Sequence, residues 1–330
     1  MSEMKTDRRF RRGGHWAATL SALLATLLAG CEAPLDLSLV EREIEKPIHR
    51  FDQLKAAAVN HRRILVVGDY GTVLSTTDQG ESWQRTKLPT RASLIAVAAC
   101  EDGRFVAIDT VRTAWVSDTE GANWRNHPLE TEESPMAVAC DPQGRFWVTA
   151  SYSTLISSDD LGESWNAQTQ EEDMQLTNIQ WLDSEHALVT GEFGALFLTE
   201  DGGETWQRGN DIPNEFYPIA AHFKSLDEGW VAGLSGTILH TVDGGESWQH
   251  QEAQTHAPIY SLIESGEQMY ATGDNGTLLQ LSGDEWKTVG EMPRIFSYLI
   301  TAIPLSDEKL LVTGGRGNIT PIMIASGDKP

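Results

Sequence analysis

Short apolar runs separated by turn-forming residues recur along the chain from about residue 54 onward. In each recurrence an apolar strand precedes a second, more regular one, and a turn then leads into a third. The second strand is the clearest of the three and reads ILVVG (64–68), FVAID (105–109), FWVTA (146–150) and ALVTG (187–191) in the first four copies. Apolar runs of this length with turn signals every 8–12 residues predict short β-strands. The pattern therefore predicts an all-β protein built from repeated hairpins.

A polar box ending in tryptophan closes most of these repeats. Tryptophans stand at positions 83, 124, 165, 206, 248 and 286, a period near 41 residues. Four boxes fit the pattern [S/T]-x-D-x-G-x-[S/T]-W, and two are degenerate: 116–124 has Thr119 where the aspartate is expected, and 281–286 is shortened. The residues that define the four good boxes are Asp78, Gly80 and Trp83; Asp160, Gly162 and Trp165; Asp201, Gly203 and Trp206; and Asp243, Gly245 and Trp248.

The chemistry of a tight hairpin explains each letter of the box. The aspartate can accept hydrogen bonds from backbone amides just downstream. The glycine provides a positive φ without a Cβ clash, and the tryptophan covers the apolar flank of the hairpin. One or two carboxylates per loop fall short of the six to eight oxygens that Ca²⁺ prefers. We therefore interpret the boxes as structural and expect no metal site.

The repeats also predict how the strands assemble. A single four-stranded sheet cannot bury both of its faces, so neighbouring units must pack face to face. Seven units of about 41 residues predict one seven-bladed β-propeller of four-stranded antiparallel blades over residues 51–330. The seventh unit lacks its tryptophan and its fourth strand. We predict that part of Pro34–Gln53 provides this strand; the alternatives are a simple tether or one or two helical turns.

The N-terminal thirty residues have the features of an export signal. Five basic residues precede an apolar run from Trp16 to Gly30, which is short for a membrane span. The run ends Leu28-Ala29-Gly30-Cys31 and resembles the bacterial lipobox, in which cleavage precedes a cysteine that receives diacylglycerol. We predict a signal peptide over 1–30, a lipid anchor on Cys31 and a tether over 31–50. The protein would face the periplasm, with the outer membrane favoured because Glu32 follows the cysteine.

The charge of the chain excludes one class of partner. The net charge is −23, and removal of residues 1–30 takes away five basic and two acidic groups to leave −26. An acidic surface repels phosphate backbones, so nucleic-acid binding is not expected. For the same reason, net charge alone would not hold this protein to anionic lipid.

No residue pattern in the sequence is typical of an enzyme active site. The nine histidines show no metal-binding spacing, and the chain has no nucleophile elbow, phosphate loop or dinucleotide fingerprint. We therefore predict no catalytic residue and no cofactor. The acidic runs Glu130–Glu133 and Glu171–Asp173 are interpreted as solvated loop charge, although paired carboxylates also serve glycoside hydrolysis.

Cys100 and Cys140 end equivalent strands of neighbouring units, and we expect them to be small buried hydrophobes, since neighbouring blades usually hold such positions too far apart for a disulfide.

The box resembles the Asp-box, or bacterial neuraminidase repeat, of sialidases, xyloglucan-cleaving glycosidases, sortilin-type receptors and photosystem II stability/assembly factors. The resemblance is strongest to the assembly factors, through the 41-residue period, the V-[T/A]-G-x-x-G-T run before the box and the exported N-terminus, and it covers about residues 50–326. It implies a non-catalytic, lipid-anchored, monomeric propeller that binds a membrane protein and aids assembly of its complex. The alternative is an exported sialidase- or xyloglucanase-like glycosidase or a glycan-binding protein, although no arginine triad or second propeller can be assembled.

The resemblance also implies that one face makes the contact with the partner, with arginines among its contact residues. The loops opposite the boxes are variable and carry exposed aromatic and arginine residues, which are typical of recognition surfaces. The alternative is that the rings plug the central channel or the seams between blades. Two acidic loops share this face. The predicted partner-binding residues are Tyr70, Arg112, Tyr152, Phe193, Tyr217, Arg294 and Arg316.

Overall fold

A computed structural model of the chain describes residues 36–60, 63–290 and 292–324. The chain divides into two compact parts, residues 1–46 and 47–330. In the first part, one short helix, α1 (Ser38–Ile44), is described; the predicted signal peptide and Cys31 lie outside the described residues. Within the described ranges, no helix has the length and apolar character needed to cross a bilayer.

The second part is built from β-strands in successive groups. The strands of groups 1 to 4 are β1 Leu54–Val59, β2 Ile64–Gly68, β3 Thr72–Thr76 and β4 Gln84–Lys87; β5 Leu94–Ala99, β6 Phe105–Asp109, β7 Thr113–Ser117 and β8 Trp124–Pro128; β9 Pro135–Cys140, β10 Phe146–Ala150, β11 Thr154–Ser158 and β12 Asn166–Thr169; and β13 Leu176–Trp181, β14 Ala187–Gly191, β15 Leu196–Thr199 and β16 Gln207–Arg208. Those of groups 5 to 7 are β17 Ala220–Phe223, β18 Gly229–Ala232, β19 Ile238–Thr241 and β20 Gln249–Ala253; β21 Ile259–Ser265, β22 Gln268–Gly273, β23 Leu278–Ser282 and β24 Glu285–Thr288; and β25 Leu299–Ser306, β26 Lys309–Gly314 and β27 Ile319–Met323.

Each group is an antiparallel sheet in which consecutive strands are neighbours. Groups 5 and 6 are further joined by a short parallel pairing of β20 with β24. The first strand of each group contacts the first strand of the next, and β25 contacts β1. The sheets thus follow one another around a common axis, as in a β-propeller, and the prediction of an all-β protein with four-stranded antiparallel sheets is confirmed.

The hydrophobic core lies in the seams between neighbouring groups. The second and third strands are buried along most of their length, because both faces of these sheets are covered. In the seam that joins group 7 to group 1, Ile303 and Leu311 pack with Leu54 and Val66. Box tryptophans lie in the same seams: the ring of Trp206 lies 5.8 Å from that of Trp147 in the preceding group. Each sheet therefore buries its apolar faces against its neighbours.

Within the described residues, the segment predicted to complete the last group adds no fourth strand to it. Among the described residues of Pro34–Gln53, Ser38–Ile44 is helical and Gln53 alone pairs with the group, through one bridge to Gly315. No described residue pairs with the outer edge of β27. Pro321 lies within this strand, and a proline has no N–H to donate to an added strand. The edge therefore discourages strand addition without a fourth strand to cover it.

The two cysteines of the second part form a disulfide, so our expectation of two separate buried residues was wrong. Cys100 and Cys140 are bonded, with their Cα atoms 5.2 Å apart. The first strands of neighbouring groups approach each other closely at the axis, which brings their ends within the reach of a disulfide. The two positions are also offset by one, because Ala99 lies opposite Phe105 whereas Cys140 lies opposite Phe146.

Candidate functional site

One end of the sheets carries the box hairpins, which connect the third and fourth strands. In the third good box, the Asp201 carboxylate accepts hydrogen bonds from the Thr205 amide at 2.9 Å and the Thr199 hydroxyl at 2.7 Å. The Thr205 hydroxyl donates to the other carboxylate oxygen at 2.6 Å, and the Gly203 amide donates to the Thr199 hydroxyl at 2.9 Å. These bonds, that of the Thr205 hydroxyl foremost, lower the pKa of Asp201 to about 2. The carboxylate is thus occupied by its own hairpin.

The other good boxes repeat this arrangement. Asp78, Asp160 and Asp243 each accept from the amide and hydroxyl of the serine four residues downstream, and those bonds lower the pKa values of Asp78 and Asp160 to about 2 as well. In the described ranges, no three His, Cys, Asp or Glu side chains are arranged to hold a metal ion. We assign the box hairpins to structure and not to ligand binding.

The degenerate second box keeps its aspartate in a shifted position. Thr119 stands where the aspartate was expected, but Asp118, one residue earlier, accepts from the Ala122 amide at 2.9 Å and from the Asn123 side-chain amide at 2.5 Å. The sequence analysis did not recognise that Asp118 replaces the expected aspartate, because the carboxylate lies one residue earlier in the box although it accepts the same kind of hydrogen bonds.

The opposite end of the sheets carries the turns between second and third strands, here called the rim turns. They lie at 69–71, 110–112, 151–153, 192–194, 234–236, 274–276 and 315–317. Six of them place a non-glycine residue in the left-handed region at the tip, with φ between 52° and 60°: Tyr70, Tyr152, Phe193, Ser235, Asn275 and Arg316. Arg112 has φ 65° one position later, where five other rim turns have glycine. This conformation is uncommon for large side chains.

Backbone hydrogen bonds fix the rim turns to the loops that lead into each following group. The Gly71 amide donates to the Ala92 carbonyl at 3.0 Å, and the Leu88 amide donates to the Gly71 carbonyl at 2.8 Å. The Gly276 amide donates to the Ser297 carbonyl at 2.7 Å in the same way. Turns and loops therefore form one continuous surface, which we call the rim face, and its backbone is held in place by these hydrogen bonds.

The predicted partner-binding residues all lie on the rim face. Tyr70 is 64% exposed, Phe193 54% and Tyr152 44%, so these rings are not buried in a seam between groups. Arg112 and Arg316 are exposed on rim turns, and Arg294 and Tyr217 lie on the adjoining loops. Burial, with help from Glu192, raises the pKa of the Tyr217 hydroxyl.

Charge is distributed unevenly around the rim face. The loops after groups 2 and 3 carry six acidic residues, Glu130, Glu132, Glu133, Glu171, Glu172 and Asp173. Arg112 lies 4.0 Å from Glu132, and Arg208 is paired with both Glu172 and Asp211. The loops around groups 7 and 1 are instead rich in arginine, at positions 50, 91, 294 and 316, all exposed. The face therefore has an acidic side and a basic side.

Two residues on the basic side were missed by the sequence analysis. Phe51 and Phe296 are 63% and 77% exposed, among the most exposed large apolar side chains described. Each is an isolated aromatic in a polar loop, which was the available signal. Lone apolar residues are equally typical of loops folded back on the core, so the sequence alone did not separate the two situations.

These features define a class of protein: a propeller-type assembly of four-stranded sheets with Asp-box hairpins at one end and exposed aromatic and arginine side chains at the other. The chain belongs to the family of the photosynthesis system II assembly factor YCF48, whose sequence profile matches residues 52–225, just over half of the chain. Our recognition of this family from the repeat is thereby confirmed.

Solved structures share this fold at low sequence identity. YCF48 bound to a D1 peptide aligns with a TM-score of 0.68 and 16% identity over 84% of this chain and 93% of that one. YCF48 from Cyanidioschyzon merolae gives 0.67 and 14% over 84% and 97%. A catalytically inactive virginiamycin B lyase from Staphylococcus aureus with quinupristin gives 0.72 and 11% over 83% and 96%. No curated protein matches the sequence significantly.

Proposed function

We propose that this protein is a seven-bladed, non-catalytic propeller that binds a protein partner through its rim face and assists the assembly or stability of a membrane complex. It acts as a monomer, exported and anchored to the membrane by lipid on Cys31. The observation that carries the proposal is the set of exposed aromatic and arginine side chains at rim-turn tips, held in left-handed conformations.

The backbone conformation of the tips supports a role in recognition. A left-handed φ costs a non-glycine residue about 1–2 kcal/mol, and glycine would avoid that penalty. Strained residues of this kind cluster at functional sites. Tyr152, Phe193 and Arg316 are nevertheless large and solvent-facing, so their side chains do not repay the strain by burial. Aromatic residues and arginine are also the residues most often found at binding hot spots.

The family supports the nature of the partner. A relative of the same fold is described as bound to a D1 peptide. We propose that the rim face of this chain likewise receives a peptide segment of a membrane protein. Because Tyr152 and Phe193 lie on the acidic side of this face, the partner segment should carry basic residues where it meets them.

The disulfide supports export. Disulfides persist in oxidising compartments such as the bacterial periplasm and are rare in the cytosol. The bond between Cys100 and Cys140 agrees with the lipobox-like Leu28–Cys31 segment, and both favour a periplasmic location.

Co-purification tests the rim face. The triple variant Tyr152→Ala, Phe193→Ala, Arg316→Ala should recover at least tenfold less partner from detergent-solubilised membranes. The control is Val242→Ala, which removes a side chain that is 62% exposed on a box hairpin and should leave recovery unchanged. Equal recovery of every partner by the triple variant would contradict the proposal.

A panel of fluorogenic glycosides that includes a sialoside should show no turnover, and turnover would overturn the non-catalytic assignment.

A further inference from the structure

We propose that Arg50, Phe51, Arg294, Phe296 and Arg316, together called the Arg–Phe patch, dock the propeller on the anionic surface of a lipid bilayer. The proposal rests on the lipid anchor proposed above and adds a second, specific contact with the membrane. It assigns a ligand, the phosphate headgroups and interfacial region of the bilayer, to the basic side of the rim face.

Three chain segments bring the patch together at group 7. The Gly315 amide donates to the Tyr298 carbonyl at 3.2 Å, which places the rim turn beside the loop of Arg294 and Phe296. On its other side, the Gly317 amide donates to the Asp52 carbonyl at 2.8 Å, which places it beside Arg50 and Phe51. A Cβ on Gly317 would lie 2.2 Å from the His49 carbonyl oxygen, so the contact is close. Arg316 therefore stands between two loops that each present one phenylalanine and one arginine.

The patch is both apolar and positively charged. Phe296 and Phe51 are 77% and 63% exposed, and the Phe51 ring is stacked on that of His49 at 4.7 Å, which holds it in place. All three arginines are exposed, and none forms an ion pair with a described carboxylate. Apolar side chains exposed together, with polar or charged residues around them, are typical of surfaces that bind a protein or a membrane.

Three described carboxylates on the neighbouring segments do not pair with the arginines of the patch. Asp52 is bound by Arg85 at 2.8 Å and is buried. Asp69 lies 3.9 Å from Lys55. Asp274, on the neighbouring rim turn, is half-buried. At physiological ionic strength, charges more than about 8 Å away are strongly screened. The expectation that net charge would not hold the protein to anionic lipid therefore does not apply to this local surface.

The chemistry of the patch matches a bilayer surface. Guanidinium groups donate paired hydrogen bonds to phosphate, and aromatic rings beside basic residues bind at the boundary between headgroups and acyl chains. Stable membrane attachment generally combines a lipid chain with a second signal. The patch provides that second signal.

The position of the patch along the chain favours a membrane over a soluble protein as its occupant. Arg50 follows Cys31 by nineteen residues, of which Ser38–Ile44 are helical. Even fully extended, this stretch spans only about 50 Å, so a bilayer that holds Cys31 is always within reach of Arg50 and Phe51. Because the patch belongs to the rim face, docking would also turn the partner-binding turns toward membrane-embedded proteins.

Vesicle co-sedimentation tests the proposal. The sample is the mature chain, residues 31–330, with Cys31→Ser so that no acyl chain is attached. It should sediment with phosphatidylcholine vesicles containing about a quarter phosphatidylglycerol, and the bound fraction should fall as NaCl is raised. The variant Phe51→Ser, Phe296→Ser should bind at least about tenfold more weakly. The matched control, Tyr152→Ser, Phe193→Ser, removes two exposed rings from the acidic side and should bind as the parent does.

Each other outcome overturns the proposal. Failure of the parent to bind anionic vesicles, or equal loss in both double variants, would show that the patch is not a specific lipid surface. If Phe51→Ser, Phe296→Ser keeps full vesicle binding but loses partner recovery in detergent, the patch is a protein site. Partner recovery by the rim triple variant is measured without a bilayer, so failure of the proposed function would be seen separately. The four substituted aromatic side chains are exposed, and unchanged unfolding midpoints would confirm intact folds.

Discussion

The two ends of the sheets use polar and unusual residues for opposite purposes. At the box end, each aspartate is engaged by its own hairpin, as Asp201 is by Thr199 and Thr205. At the rim end, strained residues such as Phe193 instead present side chains of which more than half is exposed to solvent. A repeated motif whose bonds all close on themselves indicates structure. A repeated backbone shape that presents different side chains in each copy indicates recognition.

This difference explains why the sequence revealed the fold more readily than the site. The repeated residues reflect structural constraints that recur in every group. These constraints determine the strands, the boxes and the packing of the sheets. The rim side chains differ from copy to copy, so exposure was expected for the rings on the rim turns but was missed for Phe51 and Phe296 on the adjoining loops. Phe296 shows the limit of prediction from the sequence, because none of its neighbouring residues indicates that its ring faces solvent.

The largest predicted effect concerns the box end near the axis. Replacement of both Cys100 and Cys140 by alanine removes a crosslink that closes a loop of about forty residues, which should lower the free energy of unfolding by about 4 kcal/mol. Chemical denaturation measures the change, and mass spectrometry after alkylation under denaturing, non-reducing conditions should find neither thiol free in the parent. Partner recovery by the folded variant should persist, because the cysteines lie away from the rim turns.

That prediction fails if both thiols of the parent are alkylated without reductant, or if the double variant is as stable as the parent. The cysteines also show why the sequence misled us. Cys140 repeats the position of Ala99 and not that of Cys100. Two residues at offset positions looked unrelated, and only the approach of β5 and β9 at the axis joins them.

The next effect separates two reasons for glycine in a box. Gly203 has φ 83°, and a Cβ there would lie 2.4 Å from the Trp147 ring. Gly144 has φ 85° with no atom within 4 Å. Gly203→Ala should therefore lower the free energy of unfolding by about 3 kcal/mol, combining backbone strain with overpacking of the seam. Gly144→Ala should lose only about 1 kcal/mol for strain.

Denaturant titration of both variants gives the comparison directly. Equal losses would mean that the seam accommodates the added methyl and that the box glycine serves the turn alone. A larger loss at Gly203 would show that the box hairpin is also a packing element between neighbouring sheets.

A smaller effect should depend on pH. The bonds from Thr205 hold the pKa of Asp201 near 2, below its usual value near 3.8. The stabilisation from this carboxylate is therefore complete above about pH 4 and declines as the pH falls toward 2. Asp201→Asn should be less stable than the parent at pH 6, and the difference should shrink at pH 2.5.

Unfolding midpoints at the two pH values measure this change. Glu163→Gln is the control, since its carboxylate lies on a box hairpin but accepts no hydrogen bond from a described residue; its difference from the parent should be small at both pH values. A gap for Asp201→Asn that is equally wide at pH 2.5 would mean that the charge of the carboxylate does not matter to the hairpin.

The smallest predicted effect is an increase in the free energy of unfolding, and it concerns the rim end. Phe193 has φ 59° and is 54% exposed. Phe193→Gly relieves the strain of the left-handed backbone, which outweighs the added freedom of the unfolded chain, and should raise the free energy of unfolding by about 0.5 kcal/mol. Phe193→Ala keeps the strain and should give no gain. Both should weaken partner recovery, because the ring is lost in each.

If the glycine variant is less stable than the alanine variant, the ring stabilises the fold and the contrast between the two ends is lost. A gain in stability with a loss of binding would instead show that the rim retains a residue that the fold alone would not select.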